Sequence, residues 1–415
     1  MQRGPLMMIG ACWLAAATLT ASAAAYPQQK LLDRSKPFQA HANDPYTRGG
    51  DPALVAAAGY VNFGQPFEFG AEGWDTTRIS KELDAPIIWL ETAHLQLGFQ
   101  IPGIKVDPDD RDKIRAELER LQLKLPDVEP KTRFMDPWLR AHLFAQRLEE
   151  HYTKFRDFLG FKDEDFPDGT KLWNTQGKYM GQGPYLGEKG KYEVIVLPGL
   201  SQYRSFLTAS YGLTTKKPQR WNVIPRDTMQ YAVHLDEGKL KLDAALHNNL
   251  IFNQTINYFD GFQHYSYEGP VWLREGLGHW FERDNDPRFN TFDSSEGGQA
   301  DMFNKVDWEP EVVKLIAKGD APTMAQLVNL RNYAEMDKSH HLATWSIIDF
   351  LIRAHPEFVP KLIDAVKGLV NAEFRDDGTE MPNVQREAFK ELLGWSYGQL
   401  DTAWQEFVTT NYRTK

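Results

Sequence analysis

Residues 241–288 read KLDAALHNNLIFNQTINYFDGFQHYSYEGPVWLREGLGHWFERDNDPR. The apolar spacing predicts two helices, over 241–259 and 269–284, joined by a loop that carries His264. From about Lys241 onward the chain reads as mostly helical. Further helices are predicted over 310–318, 323–331, 339–354, 357–370, 383–393 and 397–412. Thr323, Ser339 and Asn383 are the expected N-caps, because a short polar side chain can accept the orphan backbone N–H groups of a first turn.

The second half of the stretch, Val271-Trp272-Leu273-Arg274-Glu275-Gly276-Leu277-Gly278-His279-Trp280, resembles the third-ligand helix of gluzincin metallopeptidases. In that family one helix carries HExxH and supplies two zinc-binding histidines and a general-base glutamate. A second helix supplies a glutamate as third ligand. The resulting His₂Glu zinc keeps one position open for the water that attacks the peptide bond. The resemblance places Glu275 at the third-ligand position. No HExxH occurs anywhere in the chain. At the family's usual spacing upstream of Glu275 stand Phe252-Asn253-Gln254-Thr255-Ile256. Phenylalanine and isoleucine have no lone pair for zinc, and the amide of Asn253 cannot accept the proton. A second register, His247-Asn248-Asn249-Leu250-Ile251, keeps one histidine, again puts asparagine at the base position, and still lacks the second ligand. Both registers predict a scaffold whose zinc site is lost, with no cofactor. Leu400 to Val408, reading L-D-x-A-W-Q-x-F-V, is similar to the tails of secreted proteins on this scaffold. The likeness spans roughly residues 190–415.

The alternative is a zinc hydrolase with atypical ligands around Glu275 and His279, which lie four residues apart on one helical face. His247, His264, His340 or His341 would complete the set, with Tyr333 as transition-state donor. The plainer reading of His279 is a hydrogen-bonded side chain among aromatics. His94, His142, His151 and His355 read as surface or boundary residues. A third class, a metal-free glycosidase using two carboxylates, has no pair that the sequence singles out. No G-x-S-x-G elbow, P-loop or dinucleotide fingerprint appears.

Upstream of the decisive stretch, Lys191–Leu197, Trp221–Ile224 and Met229–His234 read as strands, and Ser201–Tyr211 as a helix. Asp107 with Pro108 opens a helix that carries Ile114, Leu118 and Leu121. Asp136 with Pro137 opens another, to about Leu159, with a stripe of Leu139, Leu143, Leu148, Tyr152 and Phe155. These two are expected to form an antiparallel hairpin. Residues 26–105 are rich in Gly, Pro and aromatics and read as a loop-rich arm with short strands such as Pro86–Leu90. The expected organisation is a signal peptide (1–25), this arm (26–105), the helical hairpin (106–175) and a gluzincin-like domain of strands then helices (176–415). The fold class is therefore α+β, mostly helical in its C-terminal half.

The first residues point to export. Arg3 precedes an apolar run from Pro5 to Leu19, and Ala21-Ser22-Ala23 and Ala23-Ala24-Ala25 offer cleavage sites. The run of about 15 residues falls short of the ~20 needed to span a bilayer. Cys12, the single cysteine, falls inside this run, so the mature chain is expected to lack disulfides and thiolate metal sites. A periplasmic or extracellular location follows. The net charge of −10 is dispersed and argues against nucleic acid as a partner. The many rings, 13% of residues, suit an extended peptide, a glycan or another exported protein as ligand.

Overall fold

A computed structural model of the chain describes residues 41–84, 86–168, 178–292, 306–373 and 375–414. The predicted signal peptide and Cys12 lie outside the described residues. The segment read as an arm turns out to build half of a sheet. After α1 (Pro52–Ala57) come β1 (Asn62–Phe63), α2 (Thr76–Glu82), β2 (Ile88–Glu91) and β3 (Leu95–Phe99). β1 pairs with β2 and β2 with β3, all antiparallel. β4 (Ile104–Lys105) then leads into α3 (Arg111–Gln122), and β5 (Phe134–Met135) into α4 (Pro137–Phe158).

The predicted caps at Asp107 and Asp136 are present: their side chains accept from Asp109 N and Leu139 N. The helix pair differs from expectation in direction. β4 and β5 pair with each other, so α3 and α4 start from the same end. Their contacts advance in step, Glu117 with Arg147 and Arg120 with Glu150. The two helices run parallel rather than as an antiparallel hairpin, because the long return after α3 restores the chain to its starting end.

The remaining strands are β6 (Tyr192–Leu197), β7 (Gln219–Val223) and β8 (Thr228–His234), with α5 (Leu200–Tyr211) between β6 and β7. β6 pairs parallel with β3 and with β8, and β7 closes the sheet antiparallel to β8. The sheet order is β1-β2-β3-β6-β8-β7, so strands from both sides of the expected boundaries at 105 and 175 share one sheet. Alternation along β6 splits its side chains between two cores. Ile195 and Leu197 meet α2 and α5 through Ile79, Tyr203 and Phe206. Val194 and Val196 face the large core that includes α4 and the C-terminal helices.

The C-terminal half contains α6 (Asp243–Gly261), α7 (Val271–Asn285), α8 (Glu309–Ala317), α9 (Met324–Leu327), α10 (Lys338–Ala354), α11 (Phe358–Lys367), α12 (Met381–Leu393) and α13 (Tyr397–Asn411). Two caps differ from the sequence reading. Asp337, not Ser339, caps α10 by accepting from Ser339 N and His340 N. Asn383 lies inside α12, which begins at Met381 after Glu380. α9 is shorter than predicted and gives way to a 3₁₀ turn at Tyr333–Glu335. Leu400, Trp404 and Val408 form the buried stripe of α13. Trp404 Nε1 donates to Ser346 Oγ of α10 at 2.9 Å, so α13 braces α10 from behind.

α6 is buried along nearly its whole length and fixes the position of everything around it. A helix buried on all sides needs a partner for each polar group it carries. Asp243, in its first turn, meets Arg140 and Arg147 of α4 at 3.1 and 2.7 Å. Tyr231 of β8 donates to Asn249 Oδ1 at 2.7 Å, seating α6 on the sheet. His151 of α4 is hydrogen-bonded to Thr255 at 3.0 Å.

Candidate metal centre

α7 packs against both α6 and α10 and approaches each of them tightly at a glycine. A Cβ on Gly278 would fall 2.7 Å from the ring of Phe252 in α6. A Cβ on Gly276 would fall 2.7 Å from Ile348 and 2.8 Å from the Thr344 carbonyl oxygen in α10. The Glu-Gly-Leu-Gly sequence thus permits backbone contact on both sides of one helix.

Glu275 and His279 project from the same face of α7, and His341 reaches them from the first turn of α10. Their ligand atoms all lie within 4.8 Å of one another, and all three side chains are fully buried. His279 Nε2 is 3.0 Å from His341 Nδ1, and Glu275 Oε2 is 3.6 Å from that same nitrogen. Glu282, one turn on from His279, bonds its Nδ1 at 2.8 Å. The Glu282 carboxylate in turn accepts the Thr291 backbone N–H, at 2.9 and 3.1 Å. Phe252, Phe292 and Trp308 wall the cluster, with ring centroids 5.1–5.6 Å from that of His279.

Burial sets the protonation here. It holds the His279 imidazole well below its ordinary value, with His341 and Arg283 adding to the effect. It pushes the Glu282 carboxyl well above the usual carboxylate range, against the opposing bonds from Thr291. A neutral imidazole whose Nδ1–H is donated to Glu282 leaves its Nε2 lone pair for a metal.

The zinc site that the gluzincin resemblance implies does not fit the residues on α6. Phe252 and Ile256 are fully buried and apolar. Asn253 Oδ1 accepts from Arg220 Nη1 of β7 at 2.5 Å, and its Nδ2 donates to Asn249 O at 2.8 Å. The amide that the resemblance would put at the general-base position is therefore fixed by a guanidinium and by its own helix.

Two other candidates lie elsewhere. His247 faces α4, with its ring 6.4 Å from Phe144, and lines a cavity of about 340 Å³ with Lys113, Arg147 and His151. Five residues along a helix turn a side chain about 140° away, so His247 and Phe252 cannot share a face. Tyr333 stacks near Arg274 and Arg220, 5.1 and 5.9 Å from their guanidinium carbons. It lines a separate cavity of about 210 Å³.

The remaining histidines serve the fold. His264 is hydrogen-bonded to Lys367 O, and His340 to Asp337. His142 and His151, read as surface or boundary residues, are buried. His142 lies between Tyr60 and Asp44 at 2.6 and 3.0 Å. His94 stacks on Tyr152 and bonds Glu149. Lone histidines in the sequence gave no hint of these non-local partners.

Glu282 and Arg220 are the residues the sequence reading missed. Glu282 had a local signal, an acid three residues after His279 on the same helical face. Arg220 had none, since only the packing of β7 against α6 brings it to Asn253. Compared with known proteins, the chain matches no protein-family model and no curated protein.

Proposed function

We propose that this is an exported, non-catalytic binding protein on a gluzincin-like scaffold whose peptidase centre has been filled in. The observation that carries the reading is the Arg220–Asn253 bond, which occupies the general-base position with a neutral, already bonded amide. Phe252 and Ile256 beside it supply packing where zinc ligands would be required. Export rests on the sequence pattern of residues 1–25.

The ligand that the geometry favours is an extended peptide. β7 ends the sheet and, among the described residues, pairs only with β8. Gln219, Trp221 and Asn222 are partly exposed along it. A strand edge of this kind takes an added strand through main-chain hydrogen bonds, with side-chain pockets giving selectivity. The cavity lined by Arg220, Trp221, Arg274 and Tyr333 is such a pocket.

A competing reading, an active zinc hydrolase, draws on the Glu275–His279–His341 cluster. Full burial of all three side chains counts against it, because a catalytic zinc keeps one position for water and substrate. The test is hydrolysis of quenched-fluorescent peptides and denatured casein by the zinc-loaded mature protein. The expected result is no turnover, with slowed amide exchange over residues 219–223 when an array-selected unstructured peptide binds. Zinc-dependent cleavage abolished by Glu275→Gln would overturn the reading.

A further inference from the structure

We propose that Glu275, His279 and His341 form a closed structural site for a first-row divalent cation, zinc by preference, that fastens α7 to α10. This goes beyond the peptide-binding reading and does not depend on it.

Three observations converge. The donor atoms come from two helices yet lie within 4.8 Å of one another. Ligands bound at about 2.0–2.1 Å around a tetrahedral zinc stand about 3.3 Å apart. The observed separations of 3.0 and 3.6 Å bracket that value. The donor types, two imidazoles and a carboxylate, suit zinc and its neighbours rather than calcium or magnesium.

The surroundings have the form of an outer coordination shell. A metal-binding histidine ordinarily passes its second ring nitrogen to a carboxylate, which fixes the ring and its tautomer. His279 does so through Glu282, and the Thr291 N–H fixes Glu282. Phe252, Phe292 and Trp308 enclose the donors in rings, which excludes bulk water. Gly276 lets the α7 backbone come close enough to α10 for His341 to reach. A bidentate Glu275 or one trapped water fills the fourth position. The ion acts as a bolt between helices and takes no part in hydrolysis.

An imidazole–imidazole hydrogen bond would also account for the 3.0 Å contact, and metal loading separates the two. The mature chain is incubated with Zn²⁺ alone at neutral pH, freed of excess metal and analysed for zinc. The same is done with Co²⁺, read by its visible absorption. The expected result is about one zinc per chain and a cobalt spectrum of low coordination number with nitrogen and oxygen donors. His341→Gln should abolish both, and His247→Gln should change neither. Glu282→Gln should weaken zinc binding by about 10–100-fold.

Wild-type protein that retains neither metal would overturn the proposal. So would zinc that survives His341→Gln in a folded variant. Should that variant fail to fold, the wild-type stoichiometry and cobalt spectrum still decide. Zinc bound without peptide hydrolysis sustains both proposals. Zinc bound with hydrolysis that Glu275→Gln abolishes removes both the non-catalytic reading and the closed, structural character of this site, whereas absence of zinc removes only this site.

Discussion

α7 has two neighbours, and they offer it opposite chemistry. From α6 it receives the Phe252 ring, packed against Gly278, on a helix whose Asn253 amide has its hydrogen bonds committed to Arg220 and Asn249. From α10 it receives His341, 3.0 Å from His279 and 3.6 Å from Glu275. The same glutamate therefore lies between a helix whose Phe252 and Ile256 offer no lone pair and a helix whose His341 offers one. Where a metal can sit is decided by the neighbour that completes the set, not by the glutamate that a sequence motif marks. The α6 side contributes apolar burial, which stabilises without specificity. The α10 side places polar groups out of water, which costs free energy unless each finds a partner.

Acid should have the largest effect, and it acts on buried rings of α4 and α6 as well as on His279 of α7. Burial holds His279 and His247 well below the ordinary imidazole value and lowers His151 to about 3. Their folded values lie below the unfolded value of about 6.5, so the unfolded chain takes up protons that the folded one refuses. Stability is present above about pH 6.5 and is lost as the pH falls, by up to about 1.4 kcal/mol per pH unit for each ring. Urea unfolding near neutrality and at about pH 4.5 should show a clear fall in midpoint with little change in slope. An unchanged midpoint would mean that these rings are not held neutral.

Phe252→Ala attacks the apolar side. Removing a fully buried ring should cost about 3–5 kcal/mol in chemical denaturation. A cost below about 1 kcal/mol would mean that the ring is not a packing element between α6 and α7.

The two glycines give the finest contrast. Gly276→Ala sets a methyl group against the Thr344 carbonyl, a backbone atom that moves only with α10. Overpacking should cost about 1–3 kcal/mol there, partly offset by the better helix propensity of alanine. Gly278→Ala meets first the Phe252 side chain, which can turn aside more easily than backbone, and should cost less. The reverse order would show that α10 is the more yielding neighbour.

Much of this organisation was legible in the sequence, and the exceptions have physical causes. The long helices follow from local apolar spacing, and α6, α7 and α10 lie close to their predicted spans. The caps at Ser339 and Asn383 were misplaced because Asp337 and Glu380, just upstream, mark the earlier starts of those helices. Of the N-terminal strands, Pro86–Leu90 marked β2, whereas β3 was hidden because it finds its parallel partner β6 far along the chain, and such pairing leaves no local pattern. β1, two residues long, was too short to stand out from the loops around it. Glu275 and His279 were marked as candidates by their spacing of four residues. Choosing His341 from the other histidines required the approach of α10 at Gly276, which depends on how helices pack and not on their order.

The most direct test of the central claim is anomalous diffraction at the zinc edge from crystals of the zinc-loaded protein. The account predicts one peak within coordination distance of Glu275, His279 and His341, and none on the α6 side of Phe252. A peak between Glu275 and the α6 helix, or no peak at the three side chains, would contradict it.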